Sequence, residues 1–284
     1  MENLTSPKLV REIIKKHGFY FSKGLGQNFL IDSNILDKIL EGANLGPQDG
    51  VLEIGPGIGT MTQAISKKVE KVIAIELDNN LLPILDETLV DCPNIQIVHG
   101  DILKLPLGEI LNYHFSDKKV KVVANLPYYI TTPIIMKLLE QELPIESITI
   151  MVQKEVAERI YASPGGKDYG ALSVAVQFYS NLSIITNVPP TVFMPPPNVA
   201  STVIRLDVLE KPKVEVKDRK LFFKLVGAAF GKRRKTLLNA LSTGNLGLEK
   251  ETIRELLNNI GIDERRRGET LSLDDFASIA NNIK

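Results

Sequence analysis

Apolar and polar positions follow two different periods along the chain. Short, nearly continuous apolar runs rich in β-branched residues occur at "VLEIG" (51–55), "KVIAIEL" (71–77), "IQIVHGD" (95–101), "VKVVANL" (120–126) and "SITIMV" (147–152). Helix-like stretches separate them near 60–68, 79–89, 131–141 and 153–162. Such runs predict parallel strands buried on both faces and joined through helices, which is a doubly wound α/β sheet with right-handed crossovers. After a helix near 169–179, "LSIITNVPPTVF" and "TVIRLDVL" read as two strands joined without a helix through "MPPPN", so an antiparallel hairpin is expected at one sheet edge. The result is a mostly parallel, seven-stranded, Rossmann-like sheet. Beyond Val208 the pattern is helical near 218–230, 233–242, 249–260 and 272–283. With "EKPKVEVKD" as linker, the expected domains are 1–208, including an N-terminal arm over 1–32, and a small all-α domain over 209–284.

Composition changes this picture little, but the placement of charge changes it more. Lys plus Arg equals Asp plus Glu at 34 each, so net charge indicates no partner. Yet residues 211–235 carry ten Lys or Arg against Glu215 and Asp218, and Arg265-Arg266-Arg267 follow. Clustered cations favour a local phosphate contact, with a solvated helix face as the alternative. The single cysteine, Cys92, excludes an internal disulfide and a multi-cysteine metal site, and His17, His99 and His114 are too scattered to suggest a metal. The chain shows neither a signal-peptide core nor a run of membrane-spanning length, which points to the cytoplasm.

The candidate chemistry lies at consecutive strand ends. "EIGPGIGT" places Gly55, Gly57 and Gly59 between a strand and a helix start, so a ligand can approach the backbone with no Cβ in the way. The spacing G-x-G-x-G departs from the dinucleotide fingerprint, and the preceding Glu53 suits a ligand with a cationic group better than a diphosphate. Glu76 ends the second run where a carboxylate can accept both hydrogen bonds of a ribose diol. Asp101 closes the third, placed either for an exocyclic amine of adenine or to cap a helix. The fourth run stops at Asn125, followed by Leu126, Pro127, Tyr128 and Tyr129. That stretch is either a terminating turn or a holder for a flat, polar-edged substrate.

These residues resemble the S-adenosylmethionine-dependent methyltransferases. "NLPY" (125–128) resembles the motif of enzymes that methylate a planar amine nitrogen. "KGLGQNFL", "NLPYYITTPI", "MVQKEVAERI", "FMPPPNVASTV", "AAFGKRRKTLLNAL" and "LSLDDFASIA" together are similar to the ribosomal RNA adenine dimethylase family, over nearly the whole chain and in the family's order. The resemblance implies an enzyme that uses S-adenosyl-L-methionine to dimethylate N6 of two adjacent adenines near the 3′ end of small-subunit (16S) rRNA. It implies a partly assembled 30S subunit as partner and no metal; a monomer is expected. The alternatives are a macrolide-resistance type methylase of large-subunit rRNA and a non-catalytic ribosome-assembly factor.

Several residue roles follow from the resemblance. Gln27, Asn28 and Leu30 would contact the cofactor from a loop covering it, together with Glu53, Gly55, Gly57, Gly59, Glu76, Asp101, Ile102 and Asn125. A plain N-terminal arm is the alternative for that loop. Adenine N6 is a poor nucleophile because its lone pair is delocalised into the ring. Two acceptors, the Asn125 side-chain oxygen and the Leu126 carbonyl, would orient its N–H bonds. Pro127 withholds a donor and biases Leu126 towards an extended conformation. Tyr128 would stack on the base, and the resemblance places a second aromatic wall at Phe193. For Tyr129 core packing is the favoured reading. Lys232, Arg233, Arg234 and Lys235 form the densest cation run and are expected to contact RNA.

Overall fold

The protein is described from a computed structural model covering residues 4–116 and 118–283. Met1–Asn3, Asp117 and Lys284, which fall inside the expected domain ranges, lie outside the described residues. The chain divides into two compact units, Met1–Ala157 with Asn181–Val208, and Glu158–Ser180 with Leu209–Lys284.

The first unit is built on a seven-stranded sheet. Its strands are β1 (Gly50–Ile54), β2 (Lys71–Glu76), β3 (Ile95–His99), β4 (Val120–Asn125), β5 (Ile145–Gln153), β6 (Ser180–Val188) and β7 (Ser201–Val208). They lie in the order β3-β2-β1-β4-β5-β7-β6. The pairs from β3 through β5 are parallel, and β7 runs antiparallel to β5. Every residue of Gly50–Ile54 is buried, as are Val120–Ala124, so neither strand has a face towards solvent there. Register aligns the strand ends: Ile54 pairs with Ile75 and Ala124, Glu76 with His99, and Asn125 with Met151. The residues singled out after each apolar run therefore meet along one sheet edge, where open α/β sheets bind ligands.

Three helices add to the expected set: Pro7–Lys16, Ser33–Ala43 and Leu107–Phe115. Ser33–Ala43 is capped by Asp32, whose Oδ1 accepts from the Ile35 N–H at 2.9 Å. A two-residue strand, Phe29–Leu30, pairs antiparallel with Phe193–Met194 and stitches the N-terminal segment to the β6–β7 connection.

The second unit is helical, with Ala171–Tyr179, Arg219–Gly231, Leu237–Ser242, Lys250–Asn259 and Leu273–Asn282 around a core that includes Phe178, Phe222 and Phe276. The helix near 169–179 was expected in the first domain. It belongs here because Phe178 is buried against Phe222 with ring centroids 4.9 Å apart, an apolar gain that outweighs proximity in sequence. The helix expected from 233 begins at Leu237, and residues 232–235 form a turn before it.

Candidate active site

The aligned strand ends and the segment 25–30 enclose a cleft of about 1080 Å³, including its open mouth. It is lined by Gln27, Asn28, Leu30, Glu53, Gly55, Gly57, Glu76, Asp101, Ile102 and Asn125 through Tyr128. Gly59 does not reach it. That glycine caps the helix Thr60–Ser66 with φ +88° and is boxed in by Leu89 and Thr88. Gly57 has φ +60°, and a Cβ there would stand 3.1 Å from the Phe29 ring, so glycine is required for both conformation and space.

Electrostatics in the cleft are dominated by two carboxylates. Glu53 is fully buried, and neither of its oxygens has a hydrogen-bond partner. Burial pushes its pKa up to about 8; the Thr62 hydroxyl opposes the shift and the charge of Glu76 adds to it. Thr62 itself has no partner in hydrogen-bonding geometry, so its opposition is weak. Glu76 is also raised, by burial first, while backbone N–H groups of Asp78, Leu77 and Gly57 pull the other way. The Asp78 N–H donates to Glu76 Oε1 at 2.7 Å. An unpaired buried carboxylate at a cleft wall calls for a cationic partner. Glu76 at a neighbouring strand end suits a diol, and the glycine turn admits close approach. These residues fit S-adenosyl-L-methionine.

The covering segment is tied down at two points. Gln27 Oε1 accepts from the Ser22 N–H at 2.8 Å, and its Nε2 donates to Asp78 Oδ2 at 2.7 Å. Gln27, itself in the cleft lining, thus links the Ser22 backbone to Asp78, a residue the sequence did not single out. Asn125 Nδ2 donates to the Asn28 carbonyl at 3.0 Å. Because a carbonyl only accepts, that bond fixes which way the Asn125 amide faces and leaves Oδ1 as the acceptor not engaged by Asn28. Asp101 lines the cleft and also closes a turn, with Oδ1 accepting from the Leu103 N–H at 2.9 Å. It caps that turn and no helix.

The aromatic residues part company. Tyr128 is half-buried in the cleft wall, its hydroxyl 2.7 Å from Ser201 Oγ, and burial raises its pKa so that the phenol stays neutral. Tyr129 is 54% exposed, which corrects the expectation of core packing; it lines the cleft and faces Gly26. Phe193 is 2% exposed, packs in the core with Leu30, and is not among the cleft-lining residues. Sequence reasoning passed over Phe29, Leu77 and Gly100, which also line the cleft. Leu77, immediately after Glu76, is 42% exposed. An apolar residue directly behind a strand-end acid was the available signal.

Lys232, Arg233, Arg234 and Lys235 are all exposed, in the turn joining Arg219–Gly231 to Leu237–Ser242. Among the described residues no group of His, Cys, Asp and Glu could hold a metal, and no helix is long and apolar enough to cross a membrane.

Comparison with known proteins agrees with this geometry. A family model described as "Ribosomal RNA adenine dimethylase" matches residues 18–284. A protein of Alkaliphilus oremlandii named "Ribosomal RNA small subunit methyltransferase A" is 57% identical over 283 residues, covering 100% of this chain and 99% of the relative. A protein of the same name from Clostridioides difficile is 54% identical, covering 100% and 98%. Among solved structures, a dimethyladenosine transferase from Plasmodium falciparum matches with a TM-score of 0.73 and 26% identity, covering 88% of this chain and 95% of that one.

Proposed function

The chain belongs to the ribosomal RNA adenine dimethylase family, and from that premise we propose the following function. It transfers methyl groups from S-adenosyl-L-methionine to N6 of two adjacent adenines near the 3′ end of small-subunit (16S) rRNA, giving N6,N6-dimethyladenosine during subunit maturation. The observation that carries this reading is the Asn125 amide. One of its two N–H donors is held by the Asn28 carbonyl, which orients the amide and leaves its oxygen as the acceptor for an amine N–H.

S-adenosyl-L-methionine supplies an electrophilic methyl carbon whose bond to a sulfonium sulfur breaks as the N–C bond forms, the electron pair leaving with the sulfur as a neutral thioether. Glu53 would answer the donor's cationic group, Glu76 its ribose diol, and Asp101 with Ile102 its adenine. Asn28, Leu30 and the Gly55–Gly57 backbone would close around it, with Gln27 holding the cover through Asp78. Asn125 Oδ1 and the Leu126 carbonyl would accept the two N–H bonds of the target amine, and Tyr128 would stack on its ring. Holding both N–H bonds turns the nitrogen lone pair out of conjugation and towards the methyl carbon. The amine proton is shed to water after the N–C bond forms, so no strong base is needed. The neutral Tyr128 phenol is not one. Positioning of this kind lowers a barrier by about 7 to 11 kcal/mol at best.

The unit that carries Lys232–Lys235 would contact RNA phosphates, giving affinity without base identity. We assign the first unit, 1–157 with 181–208, to methyl transfer and the second, 158–180 with 209–284, to RNA contact, in a cytoplasmic monomer acting on an immature 30S subunit. The test offers labelled S-adenosyl-L-methionine with under-methylated small subunits, large subunits or free RNA, and identifies the product nucleosides. Dimethyladenosine in small-subunit rRNA is expected, and transfer only to large-subunit RNA would overturn the assignment. Asn125→Ala should abolish transfer while RNA binding persists; undiminished turnover would refute the acceptor role.

A further inference from the structure

The hydroxyl of Tyr128 lies 2.7 Å from the Oγ of Ser201, a residue with no exposed surface. Ser201 opens β7 opposite Gln153 of β5 and closes the stretch "FMPPPNVAS". Its neighbours are anchored on both sides: the Lys154 N–H donates to the Ala200 carbonyl at 3.0 Å, and Thr202 Oγ1 donates to Asn187 Oδ1 at 3.1 Å. Tyr128, by contrast, begins a single 3₁₀ turn, Tyr128–Ile130. The hydrogen bond therefore joins a rigid strand to a loop.

A phenol oxygen lies on the axis about which the ring flips. A bond at that oxygen fixes where the ring axis points, while the flanking walls fix the ring plane. We propose that Ser201 is a positioning residue for the methyl acceptor. It holds the axis of Tyr128 so that the stacking face stays in register with Asn125 and Leu126. The proposal rests on the reading of the cleft as an adenine N6 site. A displacement of about 1 Å at a reacting atom can cost roughly a hundredfold in rate, so small swings of a stacked base matter.

A consequence separates this role from a merely structural one. In the first transfer the amine offers two N–H bonds, to Asn125 and Leu126. After it, one N–H has been replaced by a methyl group, and stacking must carry more of the positioning. Loss of the Ser201 bond should therefore depress the second transfer more than the first.

The test measures single-turnover and steady-state transfer to under-methylated small subunits for Ser201→Ala, Tyr128→Phe, the double variant and Ser201→Thr. We expect each of the first two to lower kcat about three- to tenfold, the equivalent of one neutral hydrogen bond. The KM for S-adenosyl-L-methionine should stay unchanged, and the share of monomethyladenosine should rise. The double variant should be no slower than Tyr128→Phe alone, and Ser201→Thr, which keeps the hydroxyl, should recover rate and product ratio. If the Ser201 variants do not fold, Tyr128→Phe, which removes one oxygen, reads the same contact through the product ratio. A wild-type rate and product ratio in Ser201→Ala, or effects that multiply in the double variant, would overturn the inference. A wild-type protein inactive on every RNA would overturn the functional reading itself, and this inference with it.

Discussion

Replacing Glu53 with glutamine should stabilise the ligand-free protein and weaken its hold on the methyl donor. Glu53 is fully buried with both oxygens unpaired, and its pKa is raised from 4.5 to about 8, chiefly by burial. The raised value means that the fold tolerates the protonated form best. The group's contribution to stability is complete below about pH 4.5 and is lost as pH rises through about 8. The whole interval corresponds to about 5 kcal/mol, of which about 3 has gone by pH 7. Glutamine keeps the shape and cannot ionise, but its amide stays unpaired in the same place. The net gain at pH 7 is then about 1 to 3 kcal/mol, or a rise of about 3 to 9 °C in Tm.

Thermal unfolding from pH 5 to 8.5 should show wild-type stability falling along that climb, with a flatter profile for Glu53→Gln. Binding supplies the counterpart. A cationic group beside Glu53 lowers its pKa, so wild type should release about nine-tenths of a proton on binding at pH 7. Calorimetry in two buffers of different ionisation enthalpy counts that proton. Glu53→Gln should lose that share of the release and bind more than tenfold more weakly. Equal pH slopes of stability in the two proteins, or equal proton release, would refute the reasoning.

Three further outcomes are expected. Gly57→Ala must place a Cβ 3.1 Å from the Phe29 ring at φ +60°; it should cost about 1 to 2 kcal/mol of backbone strain and weaken donor binding, as read by calorimetry. Gly268→Ala would bring a Cβ within 2.7 Å of the Ala229 carbonyl oxygen; it should destabilise the helical unit by about 1 to 3 kcal/mol while donor binding is unchanged, as checked by unfolding and titration. Neutralising Lys232, Arg233, Arg234 and Lys235 together should weaken RNA binding and reduce the slope of log affinity against log salt by up to about 3; an unchanged slope would remove this turn from the interface.

The strands and their terminal acids were legible because a parallel strand buried on both faces writes a near-continuous apolar run, which Glu76 and Asn125 interrupt at its end; Asp101 follows the half-exposed edge strand Ile95–His99, which kept enough apolar positions to be read. The stitch between Phe29–Leu30 and Phe193–Met194 was not, since two residues carry no period and their partner is remote in sequence. Phe193 illustrates the same limit. An aromatic ahead of prolines reads alike as a wall or as core, and the structure buries it beside Leu30. Tyr128 and Tyr129 are adjacent yet unlike, because successive side chains in a 3₁₀ turn point about 120° apart. One hydroxyl therefore reaches Ser201 while the other ring faces Gly26. The helix Ala171–Tyr179 was placed by its pattern, but its unit was decided by Phe222, which no local window contains.

The basic tract shows why a count of cations overstates a phosphate site. Arg265 is paired with Asp263 at 3.2 Å and Arg266 with Asp275 at 3.0 Å. Arg266 also donates to the Thr270 carbonyl at 2.6 Å, bracing the start of the helix Leu273–Asn282. Lys217 Nζ donates to the Asn281 carbonyl at 2.9 Å. A cation with an internal carboxylate gains little from phosphate, because it surrenders one anion for another. A cation whose only partner is water gains the full release of condensed counterions. Among the described residues none of Lys232, Arg233, Arg234 and Lys235 has an acidic partner, and all four are exposed on one short turn. Among the described residues only the Arg233 side chain of the four spends a hydrogen bond there, donating to the Lys167 carbonyl at 2.8 Å, which orders the turn without neutralising it. A chain with no net charge can thus present a phosphate-binding surface, provided its acids sit beside the cations that hold the fold and not beside those that would face the RNA.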